Sequence, residues 1–330
     1  MKITKSIIIV SIVLLQISFC YAENNIKVKA PKNSPVALNG RLQVVGTQLS
    51  NDQGKALVLR GASFGWHNLW PRFYNQDAVA WLASDWNCNV VRASMGVGLD
   101  DSYLENPEYA LKCITNVIDG SVKQGIYVLI DFHSHLLHTS EAKSFFTQMA
   151  KKYKDTPNVI YEIWNEPNYY SWKVVKQYSE EVISSIRAFD NKNLILVGSP
   201  HWDQDIDSVA GDPIIGQKNI MYTMHFYAGT HKKWLRDRTD AAIAKGIPIF
   251  ISECAGMDAS GDGPIDQLEW NAYLDWMDKG KLSWIVWSVS DKNEACSMLL
   301  PRASATGNWD DGLLKSWGKM CRSAIRNRNL

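Results

Sequence analysis

Eight apolar runs that alternate with helix-like stretches are the feature of this sequence that limits its fold most strongly. The runs are rich in β-branched and aromatic residues and lie at 57–64, 89–95, 126–133, 159–166, 194–199, 220–227, 248–254 and 282–290. The helix-like stretches include 107–124, 141–153, 172–188, 233–245, 265–279 and 313–326. Near-continuous apolar strands are typical of parallel strands covered on both faces. Eight such units predict an α/β fold, a single-domain (β/α)8 barrel.

A doubly wound open sheet is the alternative architecture for strands that alternate with helices. It is disfavoured because no glycine-rich phosphate-binding loop follows any of the eight runs. Ahead of the barrel pattern, a strand at 42–49, a turn at 51–54 and a strand at 57–59 predict a β-hairpin.

The first residues of the chain have the pattern of a targeting segment. Lys2 and Lys5 precede an apolar run at 7–15, and Cys20 and Ala22 are the small residues of a cleavage site. This predicts a secretory signal peptide at 1–22, too short to span a membrane, and therefore a secreted, extracellular protein. Residues 23–35 are then a polar lead-in, and 36–330 form the barrel domain.

Composition limits the classes of partner. The formal net charge is +1, with 35 basic and 34 acidic residues, and no basic stripe or acidic tail is present. Nothing electrostatic therefore favours nucleic acid or an anionic membrane, and an uncharged ligand is expected. The 14 tryptophans supply flat rings that suit stacking on sugar faces.

Five cysteines follow the predicted signal peptide, namely Cys88, Cys113, Cys254, Cys296 and Cys321. In an oxidising compartment some of them are expected to pair, and the odd number leaves one free or intermolecular. Their spacing contains no CxxC, which excludes a structural zinc cluster. No Asn-x-Ser/Thr sequon is present, so N-glycosylation is not expected.

Polar side chains collect where the predicted strands end. The fourth run ends in Asn165-Glu166-Pro167, where Pro167 lacks an N–H and biases Glu166 away from helix. The seventh run ends in a second glutamate, Glu253. The carboxyl ends of barrel strands form the face that carries chemistry, so the two carboxylates are expected there together. The other strand ends carry Arg92, Asp131, His133, His135, His225, Tyr227 and Trp287.

Taken together, these strand ends resemble glycoside hydrolase family 5. The motifs are Val91-Arg92, Asp131-Phe132-His133, Trp164-Asn165-Glu166-Pro167, His225-Phe226-Tyr227, Ile251-Ser252-Glu253 and Trp287-Ser288-Val289-Ser290-Asp291-Lys292. They are similar in particular to the bacterial-type endo-β-1,4-glucanases, or cellulases, a subfamily also found in plant-parasitic nematodes and some beetles. The resemblance spans nearly the whole chain after the signal peptide, in order.

The resemblance implies a retaining hydrolase with two carboxylates about 5–5.5 Å apart. Glu166 would be the general acid/base and Glu253 the nucleophile, with Arg92 stabilising the anion of Glu253. The negative charge of Glu253 is expected to raise the pKa of Glu166, so that Glu166 holds a proton in the free enzyme. That pKa should fall once the glycosyl-enzyme neutralises Glu253.

The resemblance also implies the substrate-binding residues. Asn165 would bind the sugar 2-hydroxyl, Tyr227 would hold the nucleophile, and Trp287 would be the stacking platform under the distorted sugar. The remaining predicted contacts are His133 and His225 around the scissile bond, Lys292 on a neighbouring hydroxyl, Trp202 on the aglycone side, and His67 and Trp70 on the far glycone side. The loop that carries His67 and Trp70 departs from the usual bacterial pattern.

Several alternatives remain open on the sequence alone. His133, His135 and His225 are a zinc-binding alternative, although a metal site would not need two strand-end glutamates and a tryptophan floor. A non-catalytic glycan-binding protein is disfavoured by the intact pair of glutamates. A β-mannanase or xyloglucanase on the same fold is the nearer competitor. We expect a β-1,4-glucan polysaccharide as substrate, with no cofactor, no metal, no nucleic acid or membrane partner, and a monomer.

Overall fold

A closed barrel of eight parallel strands organises the computed structural model, which describes residues 30–329. The strand order is β10-β3-β4-β5-β6-β7-β8-β9. Each of the eight predicted runs overlaps one barrel strand, so the prediction of a (β/α)8 barrel is confirmed. The strands are β3 (Arg60–Phe64), β4 (Val90–Gly96), β5 (Tyr127–His133), β6 (Val159–Glu162), β7 (Ile195–Val197), β8 (Ile220–Tyr227), β9 (Ile249–Ala255) and β10 (Trp284–Val289).

Helices follow the strands and cover the outside of the barrel. They are α1 (Pro35–Asn39), α2 (Gln76–Ser84), α3 (Pro107–Gln124), α4 (Thr139–Tyr153), α5 (Trp172–Arg187), α6 (Pro200–Asp203), α7 (Ile206–Gly211), α8 (Lys233–Ala244), α9 (Gln267–Gly280) and α10 (Ser316–Arg328). Helix α3 shows why the predicted bounds were accurate. The Asn106 side chain caps its first turn, Pro107 occupies its first position, and Gly125 ends it in the left-handed conformation at φ 68°.

The interior of the barrel is apolar near the amino ends of the strands and charged near their carboxyl ends. Along β5, Tyr127 and Leu129 belong to the apolar cluster inside the barrel, whereas Val128 and Ile130 pack against the helices. The next residue of the inner series is Asp131, which is fully buried. Side chains alternate between the two faces of a strand, so Asp131 lies on the same inner face as Tyr127 and Leu129. This inner face is apolar near the start of the strand and polar near its carboxyl end. The chemistry-bearing residues are therefore held inside the rim.

The predicted amino-terminal β-hairpin is confirmed, but its strands pair differently from the prediction. Strands β1 (Gln43–Val45) and β2 (Gln48–Ser50) pair antiparallel within the first predicted strand, through a two-residue turn at Gly46 and Thr47. Gly46 has φ 61°, which a glycine adopts without strain. The second turn, which spans 51–54, leads only to an isolated bridge between Ser50 and Ala56.

Other local predictions also need correction. Strand β6 ends at Glu162, four residues before the glutamate that was taken as its tip. The predicted signal peptide and most of the lead-in, residues 1–29, lie outside the described residues.

The five cysteines from Cys88 to Cys321 are buried free thiols, so the expected disulfide pairing is not found in residues 30–329. Cys254 packs on the outer side of β9, where its thiol donates to the Ile285 carbonyl at 3.4 Å.

Among the helices of residues 30–329, none has the length and apolar composition needed to cross a bilayer.

Candidate active site

A cleft of about 550 Å³ lies at the carboxyl ends of the barrel strands. Its lining combines aromatic rings, imidazoles and both strand-end glutamates: Trp66, His133, His135, Glu166, Trp202, Gln204, His225, Tyr227, Thr230, His231, Glu253, Ala259 and Trp287. A larger cavity of about 760 Å³ lies at the opposite end of the barrel, around 57–60 and 87–89. It contains none of the predicted site residues, so the smaller cleft is the candidate site.

The two glutamates face each other across this cleft. One oxygen of Glu166, one of Glu253 and a ring nitrogen of His225 lie within 4.8 Å of one another. The Tyr227 hydroxyl donates to Glu253 Oε1 at 2.7 Å, and Arg92 Nη1 donates to Glu253 Oε2 at 2.9 Å. Both oxygens of Glu253 are thereby held by donors, which fixes the direction of the side chain.

Arg92 lies beneath the cleft rather than in it, with no exposed surface. Besides Glu253, its guanidinium contacts Glu162 at 2.7 Å, Asp131 at 2.9 Å and Asn165 at 2.6 Å. Burial lowers the pKa of Arg92, but the carboxylates of Asp131, Glu162 and Glu253 outweigh burial and raise it. Arg92 therefore holds Glu253, the predicted nucleophile, from behind and does not line the cleft, although it was predicted among the substrate-binding residues.

Glu166 has an imidazole beside each of its oxygens, and the one from His225 is hydrogen-bonded. His225 Nδ1 lies 2.9 Å from Glu166 Oε1, and His135 Nδ1 lies 3.4 Å from Oε2. Burial raises the pKa of the Glu166 carboxyl, but His225, His135 and His133 outweigh burial, and the pKa lies below its usual value. The sequence-based expectation of a raised pKa is therefore wrong for the free enzyme. That expectation included the negative charge of Glu253 but not the three histidines around Glu166.

Trp287 forms the aromatic floor of the cleft and stacks on His133, with ring centroids 5.2 Å apart and planes 15° from parallel. His133 Nδ1 lies 2.6 Å from Asp131 Oδ2, which fixes the ring. Burial and the neighbouring Arg92 both lower the pKa of His133, although Glu253 opposes them. Trp66 packs on His133 edge-on, with centroids 4.8 Å apart, and extends the aromatic lining.

Trp202 lines the cleft, as predicted from the resemblance. It lies on α6, where His201, Trp202 and Asp203 all have positive φ values between 51° and 61°. This left-handed turn carries the indole to the cleft wall, and Tyr169 packs against it at 4.9 Å. Asn165 is buried at the cleft base: its Oδ1 accepts from Arg92, and its Nδ2 has no hydrogen-bond partner among residues 30–329.

Three predicted substrate contacts do not line the cleft. His67 is completely buried, and its Nδ1 accepts from the Gly96 N–H at 3.0 Å. Burial lowers its pKa to about 4, so it is a neutral structural residue. Trp70 is half-buried against the core and lies close to Gly65. Lys292 is solvent-exposed and pairs with Glu294 at 2.8 Å. These positions were assigned from the family resemblance, and a matching motif does not indicate the direction of a loop side chain.

Sequence reasoning missed Glu162 and Asp203, both of which are completely buried. Glu162 follows Ile160 on the inner face of β6, and a charged residue within an apolar run was the available signal. Asp203 offered no signal, because only the left-handed turn brings it under His225. For the zinc alternative, the converging ligand atoms in the described part of the chain belong to Glu166, His225 and Glu253 rather than to the three histidines.

A barrel that presents two facing carboxylates above buried donors and beside a tryptophan floor is that of a glycoside hydrolase. Residues 50–293 match the sequence profile described as "Cellulase (glycosyl hydrolase family 5)". The chain belongs to this family, and the resemblance found in its sequence is confirmed.

Relatives and solved structures cover nearly all of the chain. Endoglucanase 5 of Pectobacterium carotovorum is 39% identical over 89% of this chain, and Endoglucanase Z of Dickeya dadantii is 38% identical over 88%. The matched regions make up 59% and 68% of those proteins, so this chain corresponds to part of their length. The catalytic domain of Thermobifida fusca endoglucanase Cel5A superposes with a TM-score of 0.84 at 32% identity, covering 89% of this chain and 99% of that domain.

Proposed function

We propose that this protein is a retaining endo-β-1,4-glucanase. The observation that carries the proposal is the separation of the carboxylates, since an oxygen of Glu166 and one of Glu253 lie within 4.8 Å. Retaining glycosidases place their carboxyl groups about 5–5.5 Å apart, whereas inverting enzymes leave about 6.5–9.5 Å for a water molecule. The narrow gap supports direct attack by Glu253 on the sugar.

In the first step, Glu253 attacks the anomeric carbon while the glycosidic C–O bond breaks, and Glu166 gives its proton to the departing oxygen. Tyr227 and Arg92 keep the attacking carboxylate aimed during this step. In the second step, Glu166 takes a proton from water, whose oxygen attacks the anomeric carbon and releases Glu253. Two inversions restore the original β configuration.

The lining of the cleft supports a neutral polysaccharide as the substrate. Trp287 and Trp202 offer apolar faces to sugar rings, and the formal net charge of the chain is only +1. The curated relatives carry the name endoglucanase, and a variant of the Thermobifida fusca enzyme is described in complex with cellotetraose. We therefore propose the internal bonds of cellulose or related β-1,4-glucans as the target.

The test is the release of reducing sugars from carboxymethylcellulose, mannan, xyloglucan and xylan, with viscosity followed in parallel. Rapid viscosity loss on carboxymethylcellulose, abolished in Glu253→Gln, is the expected result. Glu269→Gln is the matched control, because Glu269 pairs with Arg236 on the outer helices. Activity mainly on mannan or xyloglucan would change the proposed substrate. Binding without hydrolysis of any polymer would favour the non-catalytic alternative.

The stereochemistry has its own measurement. Proton NMR of the first product from a cello-oligosaccharide should show the β-anomer appearing before mutarotation. If the α-anomer appears first, the retaining mechanism and the role of Glu253 as nucleophile are both wrong.

We further propose that residues 1–22 direct secretion and that the domain at 36–330 acts as a monomer. The amino-terminal lysines and the apolar run support secretion. Mass spectrometry of protein exported by a secreting host should give Glu23 as the first residue, and light scattering should give the mass of one chain.

A further inference from the structure

Asp203 is a buried carboxyl that the hydrolytic mechanism above does not use. It lies on α6, in the left-handed turn, and has no exposed surface. Its Oδ1 accepts from the Ser199 N–H at 2.6 Å, and its Oδ2 accepts from the Thr223 hydroxyl at 2.7 Å. Two donors therefore favour the carboxylate form of Asp203 and fix its position.

The side chain that Asp203 faces is His225. Asp203 Oδ2 lies 3.3 Å from His225 Nε2, while His225 Nδ1 is hydrogen-bonded to Glu166. The ring is completely enclosed between the two carboxyls, at 1% exposure. His225 thus lies between Asp203 and Glu166, and it contacts one carboxyl group through each ring nitrogen.

Other groups face His225 from each neighbouring element. Glu162 on β6 lies 3.7 Å from Nε2, and the Ser252 hydroxyl on β9 lies 2.8 Å from it. Asp131 on β5 and His231 after β8 act on it from farther away. Burial lowers the pKa of His231 to about 4, so this second imidazole is neutral and does not repel a cation at His225.

We propose that Asp203 is a positioning residue that keeps His225 as an imidazolium, so that His225 stores the proton that Glu166 delivers to the leaving group. The inference rests on the proposed role of Glu166. The proton passes from His225 Nδ1 to Glu166, and Glu166 gives it to the glycosidic oxygen as the C–O bond breaks, which leaves Glu166 ionised and His225 neutral. In the second step Glu166 takes a proton from the attacking water and passes it back to Nδ1, which restores the imidazolium.

Electrostatics support a proton on the imidazole rather than on Asp203. Burial lowers the pKa of His225, but Asp203, Glu162 and Glu166 together raise it well above its usual value. Burial also raises the pKa of Asp203, against His225 and Thr223. One proton can lie either on Asp203 or on His225. We assign it to His225 because three carboxyl groups face the ring, whereas Asp203 is faced by N–H and O–H donors that stabilise its anion.

The test is the pH dependence of kcat/KM for Asp203→Asn, which preserves shape and removes the charge. An opposite charge within about 4–6 Å shifts a pKa by roughly 1–3 units, so the descending basic limb should move to lower pH by that amount. The substrate is methylumbelliferyl cellobioside, whose leaving group needs a proton. With dinitrophenyl cellobioside, which departs without one, kcat/KM should remain at the wild-type value.

Asp190→Asn is the matched control. Asp190 is also a buried carboxyl, accepting from the Tyr161 hydroxyl at 2.9 Å and from the Lys192 and Asn193 N–H groups at 3.0 Å, but it belongs to the loop before β7. It should lose stability without any change in the pH profile.

A basic limb of Asp203→Asn that stays in the wild-type position would overturn the inference. Equal losses on both aryl substrates would do the same, since they would indicate a structural role. If Asp203→Asn does not fold, Asp203→Ser offers a smaller acceptor for the same measurement. Wild-type protein inactive on both substrates would instead refute the proposed function, which separates the two failures.

Discussion

Replacing Arg92 with lysine tests how much the buried guanidinium contributes to the free energy of unfolding. Three nitrogens of Arg92 reach Glu162, Glu253, Asn165 and Asp131 at 2.6–2.9 Å. Lysine keeps the charge but presents one nitrogen with three N–H groups. An ammonium cannot serve all four partners, so at least one buried acceptor loses its donor.

The expected loss follows from these contacts. Leaving a buried group without its hydrogen-bond partner costs about 1–3 kcal/mol, and more when the group is charged. Removing one partner of a buried ion pair altogether costs roughly 3–5 kcal/mol, which is the upper bound here because lysine keeps the charge. Since folded domains are stable by about 5–15 kcal/mol, Arg92→Lys should still fold but with a large part of its stability lost.

The assay is equilibrium unfolding in guanidinium chloride followed by tryptophan fluorescence. Arg328→Lys is the control: Arg328 bonds Asp278 at 2.7 Å in a partly exposed pair at the outer end of α10. Such pairs contribute about 0–1 kcal/mol, so the control should stay close to wild type. If Arg92→Lys loses no more than about 1 kcal/mol, as such an exposed pair would, the guanidinium fork is not what stabilises the upper barrel.

Three further predictions concern the rest of the molecule. In the folded protein His67 has a pKa of about 4, whereas in the unfolded chain an imidazole titrates near 6.5, so protons bind the unfolded chain first and the free energy of unfolding should fall from about pH 6.5 to pH 4. His67→Asn should reduce that decline by about 3 kcal/mol in unfolding titrations. The five buried thiols should react with a thiol reagent only after denaturation, and a reductant should leave Tm unchanged; a lowered Tm would indicate a disulfide. A Cβ at Gly61 would lie 1.7 Å from the Val90 carbonyl oxygen, so Gly61→Ala should cost at least the roughly 1–3 kcal/mol of overpacking, while Gly98→Ala, with open space around it, should be neutral by thermal unfolding.

The barrel and the identity of the two glutamates could be predicted from sequence because both depend on local patterns. A run such as 126–133 is apolar along its whole length because both faces of β5 are buried, and Asp131 and His133 fall at its end because only the rim meets the cleft. The positions of Glu166 and Glu253 follow from the same rule. Strand order in a barrel then places them on one face without any knowledge of side-chain contacts.

Tertiary structure decided the contacts between segments far apart in the chain, and with them the electrostatics of the site. His225 and Asp203 belong to different elements, and only the left-handed turn of α6 brings their side chains to 3.3 Å. The imidazoles of His225, His135 and His133 lower the pKa of Glu166, which the sequence alone predicted to be raised. A pKa depends on every charge within a few ångströms and on burial, whereas a sequence pattern reports only which face of an element a side chain occupies. For the same reason the sequence indicated where His67 and Lys292 lie along the chain, and packing determined that neither lines the cleft.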